Sequence, residues 1–224
     1  MAKFSSAKIV LIAATMGAPH LAWAQFSTNT LHWDFSTGYS DTVGATSNYL
    51  QGGYMVGVGI GFAPASLQPF DFRFNVNYSQ YNATIALLNN GQQATGQEVD
   101  NGTGSILSGS ANVRYHIPIA YGVRAYGIAG VGIYHTRIEL DQALPYYGGY
   151  GYGYGGYGYG YGYGYGYPEA VVASHGVTNF GWDAGAGLEF ALPSGHSWFL
   201  ETRYQRINSS RAVTYLPIEV GLRF

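Results

Sequence analysis

The last ten residues, Tyr215-Leu-Pro-Ile-Glu-Val-Gly-Leu-Arg-Phe224, alternate in character. Ile218, Val220, Leu222 and Phe224 fall on one side, and Glu219, Gly221 and Arg223 on the other. A period of two is the signature of a strand with one apolar and one polar face, and no helix satisfies it. The same alternation recurs in seven earlier segments. Leu31 to Tyr39 sets Leu31, Trp33 and Phe35 against His32, Asp34 and Ser36. Tyr54, Val56, Val58, Ile60 and Phe62 alternate with Met55, Gly57, Gly59 and Gly61. Phe70, Phe72, Phe74, Val76 and Tyr78 alternate with Asp71, Arg73, Asn75 and Asn77.

A fourth segment, Leu107 to Ile117, places Val113 and Tyr115 opposite Asn112, Arg114 and His116. A fifth, glycine-rich, runs from Tyr121 to about His135, with Tyr121, Val123, Val131 and Ile133 outward and Arg124 inward. The sixth sets Trp182, Ala184, Ala186, Leu188 and Phe190 against Asp183, Gly185, Gly187 and Glu189. The seventh sets Trp198, Leu200, Thr202 and Tyr204 against Phe199, Glu201, Arg203 and Gln205. An even number of such strands can pair antiparallel throughout and close on itself. Their lengths suit a tilted membrane strand of about 9–11 residues better than a soluble strand of about 5–6.

The connections alternate as well. Ala63 to Pro69, Pro118 with its neighbours, and Leu192 to Ser197 read as short turns; Ser40 to Gly53, Ser79 to Ser105, Thr136 to Thr178 and Ile207 to Ala212 read as loops. Short turns at one end and long loops at the other is the transmembrane-barrel plan. The expected fold is all-β, an eight-stranded antiparallel up-and-down transmembrane β-barrel. A soluble β-sandwich with an aromatic core is the competing architecture.

The polar face decides between them. It is rich in glycine, which a solvated sheet face gains nothing by using. It also carries Asp34, Asp71, Asp183, Glu189, Glu201 and Glu219 against Arg73, Arg114, Arg124, Arg203 and Arg223, six acids to five bases. An eight-stranded barrel has interior room only for a packed set of side chains. Small residues beside a few charged ones meet that limit, provided the charges pair. Arginine, with its planar fork, is the base suited to bidentate carboxylate pairing. The sequence therefore predicts an ion-pair network plugging the lumen and an apolar face turned to lipid, with aromatics gathered near strand ends.

The amino-terminal residues read as a secretory signal. Lys3 and Lys8 precede the short apolar run Ile9 to Ala18, and Ala22-Trp23-Ala24 fits the cleavage pattern, leaving Gln25 as the expected mature start. The run is too short to span as a helix. The domains expected are therefore a signal peptide, 1–24, and a barrel, 25–224. The ten Lys and Arg less those two lysines leave eight arginines against twelve acids, a mature formal charge of −4. That balance gives no support to nucleic-acid binding. The absence of cysteine excludes disulfides, thiol chemistry and a lipoprotein anchor.

The last three strands, Gly185-Ala-Gly-Leu-Glu-Phe190, Trp198-Phe-Leu-Glu-Thr-Arg-Tyr204 and Glu219-Val-Gly-Leu-Arg-Phe224, resemble those of the small outer-membrane β-barrel superfamily. That group includes the OmpA-like barrel domain and the opacity-type surface antigens of the porin family. The likeness covers roughly Phe180 to Phe224. It implies residence in the outer membrane among lipid and lipopolysaccharide, and insertion by the barrel-assembly machinery, with Phe224 as the assembly signal. The chain departs from the full OmpA plan in having no peptidoglycan-binding domain after Phe224, so cell-wall anchoring is not implied.

From Tyr146 to Tyr167 the chain contains only tyrosine and glycine, eleven of each. A flexible linker, an extension of strands five and six, a sugar- or protein-stacking surface, and a repeat tolerated for its position all fit that composition. Chemistry is sparse. His135 has no serine nearby, His196-Ser197 lies in a short turn, and His116 sits beside Arg114 on the inward face. No nucleophile motif, phosphate loop or metal-ligand spacing is present, so no catalytic, cofactor or metal residue is assigned. The expected role is a non-enzymatic structural or surface-antigen barrel that contacts a host or cell-surface ligand through its loops. A narrow porin and a lipid-A-modifying barrel enzyme are the competing functions.

Overall fold

In the computed structural model, which describes residues 31–143, 169–209 and 212–224, eight antiparallel strands close into one barrel in sequence order. They are β1 (Leu31–Thr42), β2 (Gly53–Phe62), β3 (Phe70–Asn82), β4 (Asn101–Ala120), β5 (Val123–Ala143), β6 (Glu169–Ala191), β7 (Ser197–Ile207) and β8 (Val213–Arg223). The terminal strand closes the ring, with Trp33 and Phe224 exchanging backbone hydrogen bonds of 3.0 and 2.9 Å. The signal segment with Ala22, Ala24 and Gln25, and the Tyr146–Tyr167 stretch, lie outside the described residues.

The register fixes the barrel's shape. Stepping across the pairs from His32 through Gly61, Arg73, Asn112, Gly130, Asp183, Gln205 and Tyr215 returns to β1 at Thr42, ten residues along. With strands about 4.8 Å apart and a rise of about 3.3 Å per residue, that stagger tilts each strand by about 40° and gives about 2.5 Å of height per residue. The alternation is kept around the ring. Leu31, Trp33, Phe35, Phe74, Val113, Ile133, Leu200 and Leu222 are exposed on the outer wall, while His32, Asp34, Asp71, Arg114, Glu201 and Arg223 are buried inside.

Aromatic rings pair on the outer wall near both ends. Phe70 meets Tyr115 at 5.2 Å and Phe190 stacks on Trp198 at 4.1 Å near the short-turn end. Trp182 meets Tyr204 at 5.6 Å toward the loop end. These are the two aromatic belts of a membrane barrel.

Three expectations are corrected. The stretch expected as a loop from Thr136 to Thr178 is strand at both ends, because β5 runs on to Ala143 and β6 starts at Glu169. The outer wall turns polar beyond Leu107, Ile133 and Phe180, so β5 and β6 rise about ten residues, or about 25 Å, above the apolar band. Second, Pro118 is not the turn. β4 continues through it to Ala120 with a register shift between those residues, the bulge at which a strand tolerates proline. Tyr121, expected to open the fifth strand, lies with Gly122 in the turn itself.

Third, the Ser79 to Ser105 loop is only partly irregular. β3 extends to Asn82, β4 starts at Asn101, and between them lies helix α1 (Ile85–Thr95). Thr84 caps it, its hydroxyl accepting from the Leu87 amide at 3.3 Å, and Gly96 ends it at φ 68°, where glycine avoids a Cβ penalty. Leu87 packs onto a buried cluster of Leu50, Tyr81, Ile106, Tyr134, Ile207 and Tyr215. The helix and cluster close the loop end of the lumen.

Candidate functional site

The lumen holds one unbroken ionic chain. At the short-turn end Arg124 grips Glu189 through Nε and Nη2 at 3.0 and 2.9 Å. Glu189 also accepts from Arg223 Nη1 at 2.8 Å, and Arg223 Nε reaches Asp34 at 2.9 Å. Asp34 meets Arg73 at 3.0 Å and Arg114 at 3.3 Å. Arg114 donates to Asp71 at 2.6 Å, while Arg73 contacts Glu201 at 3.1 Å. Arg203 then lies between Glu201 at 2.9 Å and Glu219 at 2.5 Å, with Asp183 at 3.8 Å.

All eleven residues named from the sequence for this face stand in this chain. Arg73, Arg114, Arg203 and Arg223 each serve more than one carboxylate, which is how five bases answer six acids. The side chains of Arg73, Arg114 and Arg203 are 1%, 0% and 0% exposed. Charges this deep persist only when paired and hydrogen-bonded. Neutral groups add to the arrangement: Asn112 donates to Asp183 at 2.6 Å, Tyr126 to Glu201 at 2.7 Å and Ser197 to Glu189 at 2.6 Å.

The alternation alone also placed large apolar and aromatic groups inside, which a reading by charge passes over. Met55, Tyr126, Ile128 and Phe199 are buried. The Arg73 guanidinium lies 5.1 Å from the Phe199 ring, and that of Arg114 lies 5.7 Å from the Tyr126 ring. These rings act as platforms for the two cations. Tyr126 and Tyr134 share parity with Arg124, so the phase of β5 was the available signal.

The residues considered for catalysis are dispersed. His135 is on the outer wall, its Nδ1 2.9 Å from the Thr178 hydroxyl. The His196 ring sits 5.1 Å from Phe224, while the hydroxyl of Ser197 is committed to Glu189, so the two form no dyad. His116 lies inside, 3.4 Å from Asp71.

Above the girdle, β4, β5 and β6 form a protruding sheet. β6 pairs with β5 along its length but with β7 only from Gly181 to Ala191. The edge of Ala170 to Asn179 is thus unpaired by β7. The outer face of this protrusion is polar, with Arg137 ion-paired to Glu139 at 2.5 Å and 3.4 Å from the Ser174 hydroxyl.

An antiparallel eight-strand ring staggered by ten residues, with charge inside and a greasy girdled wall, decides the architecture. The fold is that of the small outer-membrane β-barrels. Neisserial surface protein A aligns over 87% of this chain and 96% of its own, with a TM-score of 0.51 at 13% identity. A major outer membrane protein from Thermus thermophilus gives 0.48 at 11% identity over 88% of this chain and 100% of the other. The Yersinia pestis attachment invasion locus protein Ail, solved with the heparin analogue sucrose octasulfate, gives 0.45 at 13% identity over 88% and 100%. No family model and no curated protein sequence matches the chain.

Proposed function

We propose that this chain is a non-enzymatic integral protein of the outer membrane, exported on a signal peptide cleaved after Ala24, that presents the β4–β6 protrusion to other surfaces. The observation that carries this reading is the inequality of the strands. β1, β2, β3, β7 and β8 have 12, 10, 13, 11 and 11 residues, close to what a tilted span needs, whereas β4, β5 and β6 have 20, 21 and 23. Strand beyond the bilayer adds nothing to anchoring. A sheet with a largely polar outer face and an open edge offers backbone donors and acceptors to an incoming segment. The ionic lumen serves as a brace. Lipid and lipopolysaccharide surround the wall, and Phe224, hydrogen-bonded into the closing seam, is the residue the assembly machinery reads.

The test is attachment. Cells carrying the full barrel are compared with cells carrying one in which β5 and β6 are joined by a short turn at the level of His135 and Thr178. Surface exposure of both barrels is checked by labelling of intact cells. The truncated form is expected to lose attachment to host-cell or neighbouring-cell surfaces while still inserting, and unchanged attachment would sink the proposal.

A further inference from the structure

The lipid-facing wall carries a shallow apolar groove of about 380 Å³. It runs from Phe74 on β3 to Phe180 on β6, over Gly109, Ala111, Val131 and Ile133. The groove exists because Gly109 and Ala111 put almost no side chain on the wall; a Cβ at Gly109 would meet nothing within 4 Å. Its direction is set by the register. Phe74, Ala111, Val131, Trp182, Arg206 and Thr214 form one cross-strand row. Each step crosses about 4.8 Å of sheet and, at a tilt of about 40°, climbs about 3 Å toward the loop end. Phe74 lies midway between Phe70 and Tyr78 on the outer face of β3, in the middle of the apolar band. Arg206, four strands on, stands about 12 Å higher. It lies two residues beyond Tyr204, whose ring meets Trp182 in the loop-end aromatic belt.

Arg206 is exposed on this wall. Among the described residues it is the one arginine without a carboxylate partner, since Arg73, Arg114, Arg124, Arg137, Arg203 and Arg223 are all ion-paired. Exposed Asn208 follows it, and Thr214 faces it from β8, so neutral donors stand on both sides of the guanidinium. An arginine at this depth reaches water by extending its side chain. That alone leaves no role for the groove descending from it. An apolar track that rises from the middle of the band to an unpaired cation at headgroup depth matches an anionic lipid. The tail takes the apolar length, and the planar fork takes two oxygens of a phosphate. With the loop end facing outward, as the proposed function has it and on which this assignment rests, the lipid at that depth is lipopolysaccharide. We propose that this flank of the barrel seats one lipopolysaccharide molecule, a headgroup phosphate paired with Arg206 and an acyl chain lying in the groove.

The experiment is native mass spectrometry of the purified full barrel in detergent, titrated with bisphosphorylated lipid A, with its dephosphorylated form, and with phosphatidylglycerol. One saturable adduct of bisphosphorylated lipid A is expected, and none that saturates with phosphatidylglycerol. Arg206→Gln should weaken that adduct at least about tenfold, the scale of a lost charge-assisted pair. The same variant should bind dephosphorylated lipid A as the unchanged barrel does. Ala111→Phe fills the groove without altering Arg206 and should weaken binding at least about fivefold. Val220→Phe, an equal enlargement on the wall of β8, should leave it unchanged. All three positions are exposed, and circular dichroism checks that each barrel has folded. Equal binding of phosphatidylglycerol, full binding by Arg206→Gln or Ala111→Phe, or an Arg206→Gln loss that persists without phosphate would each overturn the proposal. Labelling of the loop end on intact cells separates this site from the reading beneath it. A loop end found inside would overturn the outward orientation, whereas an outward loop end with no saturable lipid A adduct would overturn the site alone.

Discussion

Arg203 gives the sharpest test of the ionic lumen. Glu201 and Glu219 face each other directly across β7 and β8. Two carboxylates in register would repel, and Arg203 lies between them at 2.9 and 2.5 Å. With charge centres about 4 Å apart and an effective dielectric of about 20, each attraction is about 4 kcal/mol. The repulsion between the two glutamates is of comparable size, so the triad keeps about one net attraction. Arg203→Met keeps most of the volume and removes the charge. The expected loss is about 3–5 kcal/mol, the range for breaking a buried pair from one side. Arg203→Met with Glu219→Gln should recover a large part of that loss, because the repulsion disappears with the second charge. Urea titration of the barrel refolded into lipid vesicles, followed by the fluorescence of Trp33, Trp182 and Trp198, measures both. A loss below about 1 kcal/mol in the single variant would refute the pairing argument. A double variant as unstable as the single one would show that Arg203 matters for packing instead of charge.

The same packing predicts electrical silence: the purified barrel in a planar bilayer is expected to give no stable conductance, and steady current steps would show that the lumen is open. Two glycines of one sheet should respond in opposite ways to valine. At Gly221 an added Cβ meets the Phe199 ring and comes within 2.6 Å of the Phe35 carbonyl oxygen, so Gly221→Val should cost about 1–3 kcal/mol. At Gly127 a Cβ meets nothing within 4 Å, so Gly127→Val should stay within about 0.5 kcal/mol, and equal losses in the urea titration would contradict this wall assignment.

What could be read from the chain, and what could not, divides at the membrane surface. Within the apolar band a side chain meets either lipid or the packed interior, so Phe74 and Asn75, or Leu222 and Arg223, declare their faces unaided. Above the band the outer face meets water while the inner face packs toward α1, so Leu140 is buried and Arg137 exposed, the reverse of the polarity within the band. Arg137, Glu139 and Ser174 therefore looked like loop, though they are strand. Helix α1 was passed over for a related reason. Its capping residues Thr84 and Gly96 were present in the sequence, but a search tuned to a period of two does not register a period of 3.6. Phe199 sits within the apolar run from Trp198 to Leu200, and only the parity of Glu201 and Arg203 assigns its ring to the interior.

The ionic chain also bears on why this sequence takes one register. Interior charges contribute little as attractions, since desolvation offsets much of the Coulomb gain. Their force lies in what they forbid. A one-residue slip of β7 or β8 would turn Arg203 or Arg223 out toward lipid and bring Leu200 or Leu222 inward. An arginine on the lipid face costs about 2–4 kcal/mol at the bilayer midplane and about 0–1 kcal/mol near the interfaces, where Arg203 and Arg223 lie beside Tyr204 and Phe224. Its abandoned partner, Glu219 or Asp34, would add the cost of an unpaired buried carboxylate. One slip thus incurs two penalties at once, the larger being the unpaired buried carboxylate, a sizeable share of the stability of a small domain. An apolar interior of the same volume could hold the barrel closed, but it would lose little on shifting by a residue, because both faces would then be greasy. On this reasoning the six carboxylates and five guanidiniums specify the register of the wall before they stabilise it.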